Sequence, residues 1–167
     1  AYQKQWPSLY QQEAEKIRAV LGEELIGIHH IGSTSVPNLQ AKPIIDIMPV
    51  VKNIQSVDLY NENMQKLGYD PKGEFGISGR RYFSKGGDER THHVHIFQIG
   101  SPHINRHLAF RDYLREHATA REEYGALKIH LAKQFPNDIE AYIQGKNDLV
   151  QQIEEKALGG YQRKQDS

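Results

Sequence analysis

Apolar residues recur first with a helical period, then in short β-rich runs, then with a helical period again. Over residues 8–21 the spacing of Tyr10, Ile17 and Leu21, with Trp6 just before them, predicts a helix. Ser8 and Gln11 have capping-box spacing at its start, and Gly22 is a natural stop. Leu25–Ile31 reads as a strand weakened by Gly27. Ile44–Val51 is almost continuously apolar, as expected of a strand covered on both faces, and Pro49 places its end or an edge there. Val57, Tyr60, Met64 and Leu67 predict a helix over 54–67 closed by Gly68. Residues 69–79, rich in glycine and proline, read as loop or ragged strand. Arg80–Ser84 and His93–Ile99 read as a hairpin joined by a Gly-rich turn. The period of two puts His93, His95, Phe97 and Ile99 on one face and Val94, Ile96 and Gln98 on the other.

From Gly100 the pattern is helical to about residue 158. Thr119 with Glu122 forms a second capping box, and Ala120, Tyr124, Leu127, Leu131 and Phe135 form an apolar stripe. Pro136-Asn137 breaks the chain before a further stripe through Ile139, Tyr142, Ile143, Val150, Ile153 and Ala157, in which Gly145 leaves room for a kink. The expectation is one domain over 1–160, with an α/β (α+β) part to about residue 100, a helical part over 101–158, and a flexible polar tail over 159–167.

Charge and composition narrow the function classes. Lys plus Arg and Asp plus Glu each number 21, so no global field recruits nucleic acid or an acidic membrane, and anion binding has to be local. The absence of cysteine removes disulfides, thiolate catalysis and Cys-ligated metals, and suits a reducing cytoplasm. No apolar run has membrane-spanning length and the N-terminus lacks a signal-peptide core, so a cytoplasmic protein is expected, with its oligomeric state open.

Asp46 lies inside the apolar run Ile44–Ile47, where an unpaired charge would cost several kcal/mol. Two readings stand side by side: a ligand for a divalent cation, or a structural carboxylate paired with Lys42, Arg81 or backbone amides. Gly32, Ser33, Thr34 and Ser35 form a turn whose amides and hydroxyls can hold phosphate oxygens, or can simply cap a strand-to-helix connection. His93 and His95 project from one strand face toward a metal site or proton relay that would need Asp46 or His30 as a third member; otherwise they are hydrogen-bonded within the sheet. Among the nearby basic residues Lys42, Arg80, Arg81, Lys85 and Arg90, Arg81 is the leading phosphate-contact candidate. Arg111 either belongs to a solvated helix face or reaches back over the sheet to a phosphate.

Four ordered blocks carry a resemblance: HIGSTSVPNLQAKPIIDI at 30–47, HVHI at 93–96, FRDYLREH at 110–117 and EYGALKIHLA at 123–132. Together they resemble the GrpB family, which is also similar to a domain fused behind dephospho-CoA kinase in some bacteria. That family in turn resembles the nucleotidyltransferase superfamily, with its Gly-Ser turn, spacer of about a dozen residues, and acid-hydrophobic-acid strand. The resemblance implies a nucleotidyltransferase-like mixed sheet flanked by helices, a C-terminal helical bundle, and a site for nucleotide and magnesium between turn and strand. Gly32, Ser33 and Asp46 match the pattern, but Met48 stands where the second acid belongs and does not usefully ligate magnesium.

Three functions follow as expectations. The first is transfer chemistry on a nucleotide or small phosphorylated metabolite, with Gly32–Ser35, Lys42 and Arg81 holding phosphate and Asp46, His93 and His95 as catalytic residues and ligands to Mg, Mn or Zn. The second is a ligand-binding or accessory module without transfer activity, and the third a hydrolase with a histidine–carboxylate metal site.

Overall fold

The computed structural model describes residues 1–166, and side chains through residue 160. Helix α1 spans Trp6–Leu21, two residues earlier than the capping-box pattern predicts. Gln5 occupies the N-cap and Pro7 lies in the first turn, where a missing N–H costs nothing, so Ser8 is already helical. Gly22, at φ +55°, ends the helix by donating its N–H to the Arg18 carbonyl.

Strands β1 (Leu25–Ile31), β2 (Ile45–Val51), β3 (Tyr69–Pro71), β4 (Arg80–Lys85) and β5 (His92–Gln98) form one sheet in the order β1-β2-β5-β4-β3. β2 and β5 run parallel, and the other neighbours antiparallel. The sheet is therefore mixed, as the resemblance implies. Pro49 does not mark an edge: β2 is interior, Pro49 pairs with Ile28, and the β5 ladder passes from Ile47–Val94 to Val50–Phe97 around the missing N–H. The helix expected over 54–67 is divided. Residues Ile54–Tyr60 are a 3-10 helix capped by Asn53, and α2 covers Asn61–Lys66.

One sheet face buries Ile45, Ile47, Val94 and Ile96 against Trp6, Ile17 and Leu21 of α1. Glu13, buried on that face, accepts hydrogen bonds from Tyr69 Oη and Lys85 Nζ at 2.9 Å each, tying α1 to β3 and β4. The opposite face packs Ile31, Met48, Val50 and Phe97 against Ile104. That second layer comprises α3 (Pro102–Glu116), α4 (Ala118–Gln134) and α5 (Ile139–Asp166). The two layers are joined by Val36, Leu39, Leu114, Tyr124 and Ile153.

Thr119 is not a cap. His117 both ends α3 and precedes α4, and its carbonyl accepts the Arg121 N–H, which closes the first turn of α4 across Thr119. Gly145 serves close packing, because a Cβ there would lie 2.5 Å from Leu131 Cδ2. Where a flexible tail is expected from residue 159, the backbone continues α5 to Asp166, since extending an existing helix needs no new nucleus; Ser167 lies outside the described residues. Among the described residues no helix is long and apolar enough to cross a membrane.

Candidate functional site

The strand pleat brings three of the expected residues together. Asp46 pairs in register with His93 on β5, and His95 follows on the same face. Asp46 Oδ1 lies 3.3 Å from His93 Nδ1 and 3.1 Å from His95 Nε2. Potential ligand atoms of all three fall within 4.8 Å of one another. Burial alone would raise the Asp46 carboxyl, but the hydrogen bonds from His93 and His95 outweigh it and hold the group well below the usual carboxylate range.

Arg80 fixes how this cluster is protonated. It is buried at 7% exposure and its Nη1 lies 3.3 Å from His95 Nδ1. A guanidinium only donates, so Nδ1 accepts and the neutral ring carries its proton on Nε2, directed at Asp46. A line of charge and dipole thus runs from Arg80 through His95 and Asp46 to His93. The far nitrogen of His93, Nε2, is buried without a hydrogen-bond partner.

The Gly-Ser turn meets Asp46 at close quarters. Gly32 has φ +72°, and a Cβ on it would lie 2.5 Å from Asp46 Oδ2. Ser35 turns inward to donate to the Gly32 carbonyl, and Thr34 bonds the buried His30 ring at 2.9 Å. Two α3 arginines clamp the same segment: Arg111 Nη1 donates to the His30 carbonyl at 3.1 Å, and Arg115 Nε to the Ser35 carbonyl at 2.9 Å. Arg111 does reach back to the sheet, but to backbone. His30 is not the third member of the histidine site; its ring stacks on Tyr10, with centroids 4.7 Å apart.

Ser33 opens instead into a cavity of about 620 Å³ between the sheet and helices α4 and α5. Its hydroxyl accepts from Lys128 Nζ at 2.7 Å. Lys42 and Lys146 line the same cavity, as do Thr34, Asp46, His93 and Tyr124, with Phe135, Ile139 and Tyr142 on its apolar side. Burial, then the nearby Lys146, pushes the Lys128 ammonium down to about 8. Burial, then Lys42, lowers Lys146. Burial pushes Tyr124 up to about 12, so it stays a neutral phenol.

Arg81 lies elsewhere. It leaves β4 one residue out of phase with Arg80 and pairs with Asp58, Nε to Oδ1 at 2.8 Å. The residues not anticipated are Arg80's contact to His95, and Tyr124, Tyr142, Lys128 and Lys146 from the helices. One signal was present: Lys128 follows Tyr124 by four residues, on the face of α4 that also buries Leu131. A lysine in a buried helical stripe calls for a partner as much as an aspartate in an apolar strand does.

Two histidines near the site give a pH test. Burial pushes His30 down to about 4 and His107 down to about 3, with Arg106 the next contributor at His107. Between the ordinary value of 6.5 and these values the unfolded chain binds protons that the folded chain refuses. Stability should therefore be full above pH 6.5 and fall as acid is added, by at most about 1.4 kcal/mol per pH unit for each of the two groups. Urea midpoints measured from pH 7.5 to 4 check this, and a flat profile would contradict it.

A family model described as GrpB protein matches residues 1–156. The chain belongs to the GrpB family. The UPF0157 protein YqkA of Bacillus subtilis is 52% identical over 156 residues, covering 93% of this chain and 46% of the relative; the chain thus spans about half that relative's length. A dephospho-CoA kinase of Mycolicibacterium paratuberculosis is 25% identical over 83% of this chain and 40% of its own length. Among solved structures, conserved protein GrpB from Enterococcus faecalis superposes with a TM-score of 0.92 at 46% identity, covering 96% of both chains. The Cid1 poly(U) polymerase superposes with a TM-score of 0.54 at 14% identity, over 79% of this chain and 42% of Cid1. That likeness shows a GrpB fold of nucleotidyltransferase type, and the fold alone.

Proposed function

We propose that this GrpB chain binds a nucleotide or small phosphorylated metabolite in the lysine-lined cavity, as a nucleotidyltransferase-like protein. The observation that carries this is the convergence of Lys42, Lys128 and Lys146 with the Ser33 hydroxyl around one cavity. Partly buried ammonium groups that repel one another lower each other's proton affinity, and a bound polyanion reverses that. Phe135, Ile139 and Tyr142 offer the apolar wall a base or other ring would need.

The donor set decides which metal suits the site. A pair of magnesium ions does not fit, because Asp46 is the strand's one carboxylate and Met48, fully buried among Ile31, Val50 and Phe97, fills the position of a second. One ion fits Asp46, His93 and His95, zinc best by its affinity for imidazole and manganese through the carboxylate, where it would supply charge neutralisation to a phosphate. To ligate such an ion through Nε2, His95 would have to move its proton to Nδ1, where it would face the Arg80 guanidinium and displace that contact. Asp46 held ionised would act as a hydrogen-bond acceptor that orients an incoming hydroxyl, with His93 beside it as the general-base candidate.

Met48 favours a second reading: a binding or accessory module without transfer activity. The two readings share the cavity and separate on turnover. Lys128→Ala should weaken nucleotide binding about 10–100-fold, the worth of one charge-assisted hydrogen bond. Titration calorimetry with ATP, with and without Mn²⁺, checks it. Equal affinity in wild type and Lys128→Ala would sink the proposal, whereas binding without pyrophosphate release would select the second reading.

A further inference from the structure

The cavity lies to one side of Asp46, between sheet and helices, and the other side of the cluster faces β4. There Tyr82, paired in register with His95, presents its ring to both histidines, with centroids 5.6 Å from His93 and 5.2 Å from His95. On the far side of Tyr82 stacks Phe75, with centroids 5.0 Å apart and planes 9° from parallel. Phe75 is 56% exposed, so one ring face is covered by Tyr82 and the other is open.

Phe75 is held there against its own preference. Its φ is +49°, a left-handed conformation unusual for a bulky residue. The surrounding loop over-determines it. Arg80 Nη2 donates to the Phe75 carbonyl at 2.7 Å, Arg80 Nε to the Glu74 carbonyl at 3.1 Å, and the Glu74 carboxylate accepts from the Gly79 N–H at 2.6 Å. The same guanidinium that pins this loop also sets the His95 proton. Strain retained by specific contacts beside reactive groups is characteristic of ligand-binding segments. The geometry thus offers an exposed aromatic face, fixed in place, two rings away from Asp46.

We propose that Phe75 is the stacking platform for a second ligand, an acceptor carrying a planar aromatic or heteroaromatic ring, which approaches Asp46 and His93 from the β4 side. This rests on the reading of the lysine cavity as the phosphate site: with phosphates on the helical side, a hydroxyl-bearing acceptor is left the β4 side. Ring stacking explains why an aromatic residue, rather than a polar one, is displayed at the loop's tip. Arg80 is the positioning residue that joins the platform to the cluster.

Adenosine, which has a ring and no phosphate, is the probe. It is titrated into wild type, Phe75→Ala, Phe75→Leu and Lys128→Ala, with amide shifts followed by NMR. Wild type and Lys128→Ala should bind alike, with shifts centred on residues 73–82, and both Phe75 variants should bind about tenfold more weakly, the usual worth of one stacked ring. Phe75→Leu removes the ring but keeps apolar bulk over the buried Tyr82, which Phe75→Ala uncovers, so agreement between the two variants separates stacking from disturbance of Tyr82. No binding by wild type, equal binding by the Phe75 variants, or shifts confined to residues 132–146, the apolar wall of the lysine cavity, with none over 73–82, would overturn the platform. Pyrophosphate titrated into the same proteins reads the lysine cavity alone, so failure of one site is told apart from failure of the other.

Discussion

Replacing Gly32 by alanine is expected to destabilise the chain more than any other single change at the site. Two independent penalties coincide. The backbone there, at φ +72° and ψ −175°, is a conformation that essentially only glycine adopts, and the new Cβ would lie 2.5 Å from Asp46 Oδ2 and 3.0 Å from Asp46 Cγ. Asp46 cannot simply retreat, since its carboxylate is the shared acceptor of His93 and His95. With about 1–3 kcal/mol for the backbone alone and a clash added, the midpoint of thermal unfolding should fall by roughly 10 °C. A melt of Gly32→Ala indistinguishable from wild type would mean that turn and strand do not meet as described.

The second large effect is expected at Asp46 itself. Asp46→Ala removes the acceptor shared by two imidazole N–H groups, leaving both of them unpaired at a cost of about 1–3 kcal/mol. Asp46→Asn keeps the volume and one acceptor oxygen, so it should recover most of that stability while failing to recover function. Stabilisation by Mn²⁺ or Zn²⁺ should disappear in both, and pyrophosphate release, if wild type shows it, should vanish with them. Thermal shifts with and without metal separate these outcomes. An Asp46→Asn protein that kept its full metal response would remove Asp46 from the site.

The sequence carries more of the sheet than of the cavity, for a physical reason. β1 is legible to its last residue, and β2, β4 and β5 to within one, because alternating or continuous apolar runs answer to local period alone. Asp46, His93 and His95 could be grouped because the strand period and the spacing from Gly32 bear on the same face. Arg80 and Arg81 show the limit: adjacent in sequence and alike in chemistry, they go to opposite faces, and only the register of β4 against β5 says which meets His95. The cavity depends on longer reach still. Lys128 meets Ser33 across 95 positions of chain, through the way α4 folds back over the turn, and no local pattern encodes that crossing. Helices α1 and α4 start ahead of their capping patterns, because local geometry competes with the pattern. Pro7 admitted the first turn before Ser8, and His117 served two helices at once.

The most direct measurement is crystallographic: crystals grown with Mn²⁺ and a non-hydrolysable nucleotide triphosphate, with anomalous data collected for the metal. Phosphate density is expected against Ser33, Lys128 and Lys146, with any manganese peak beside Asp46 and the two histidines. A saturated crystal with that cavity empty, or with the nucleotide bound away from Lys128, would contradict it.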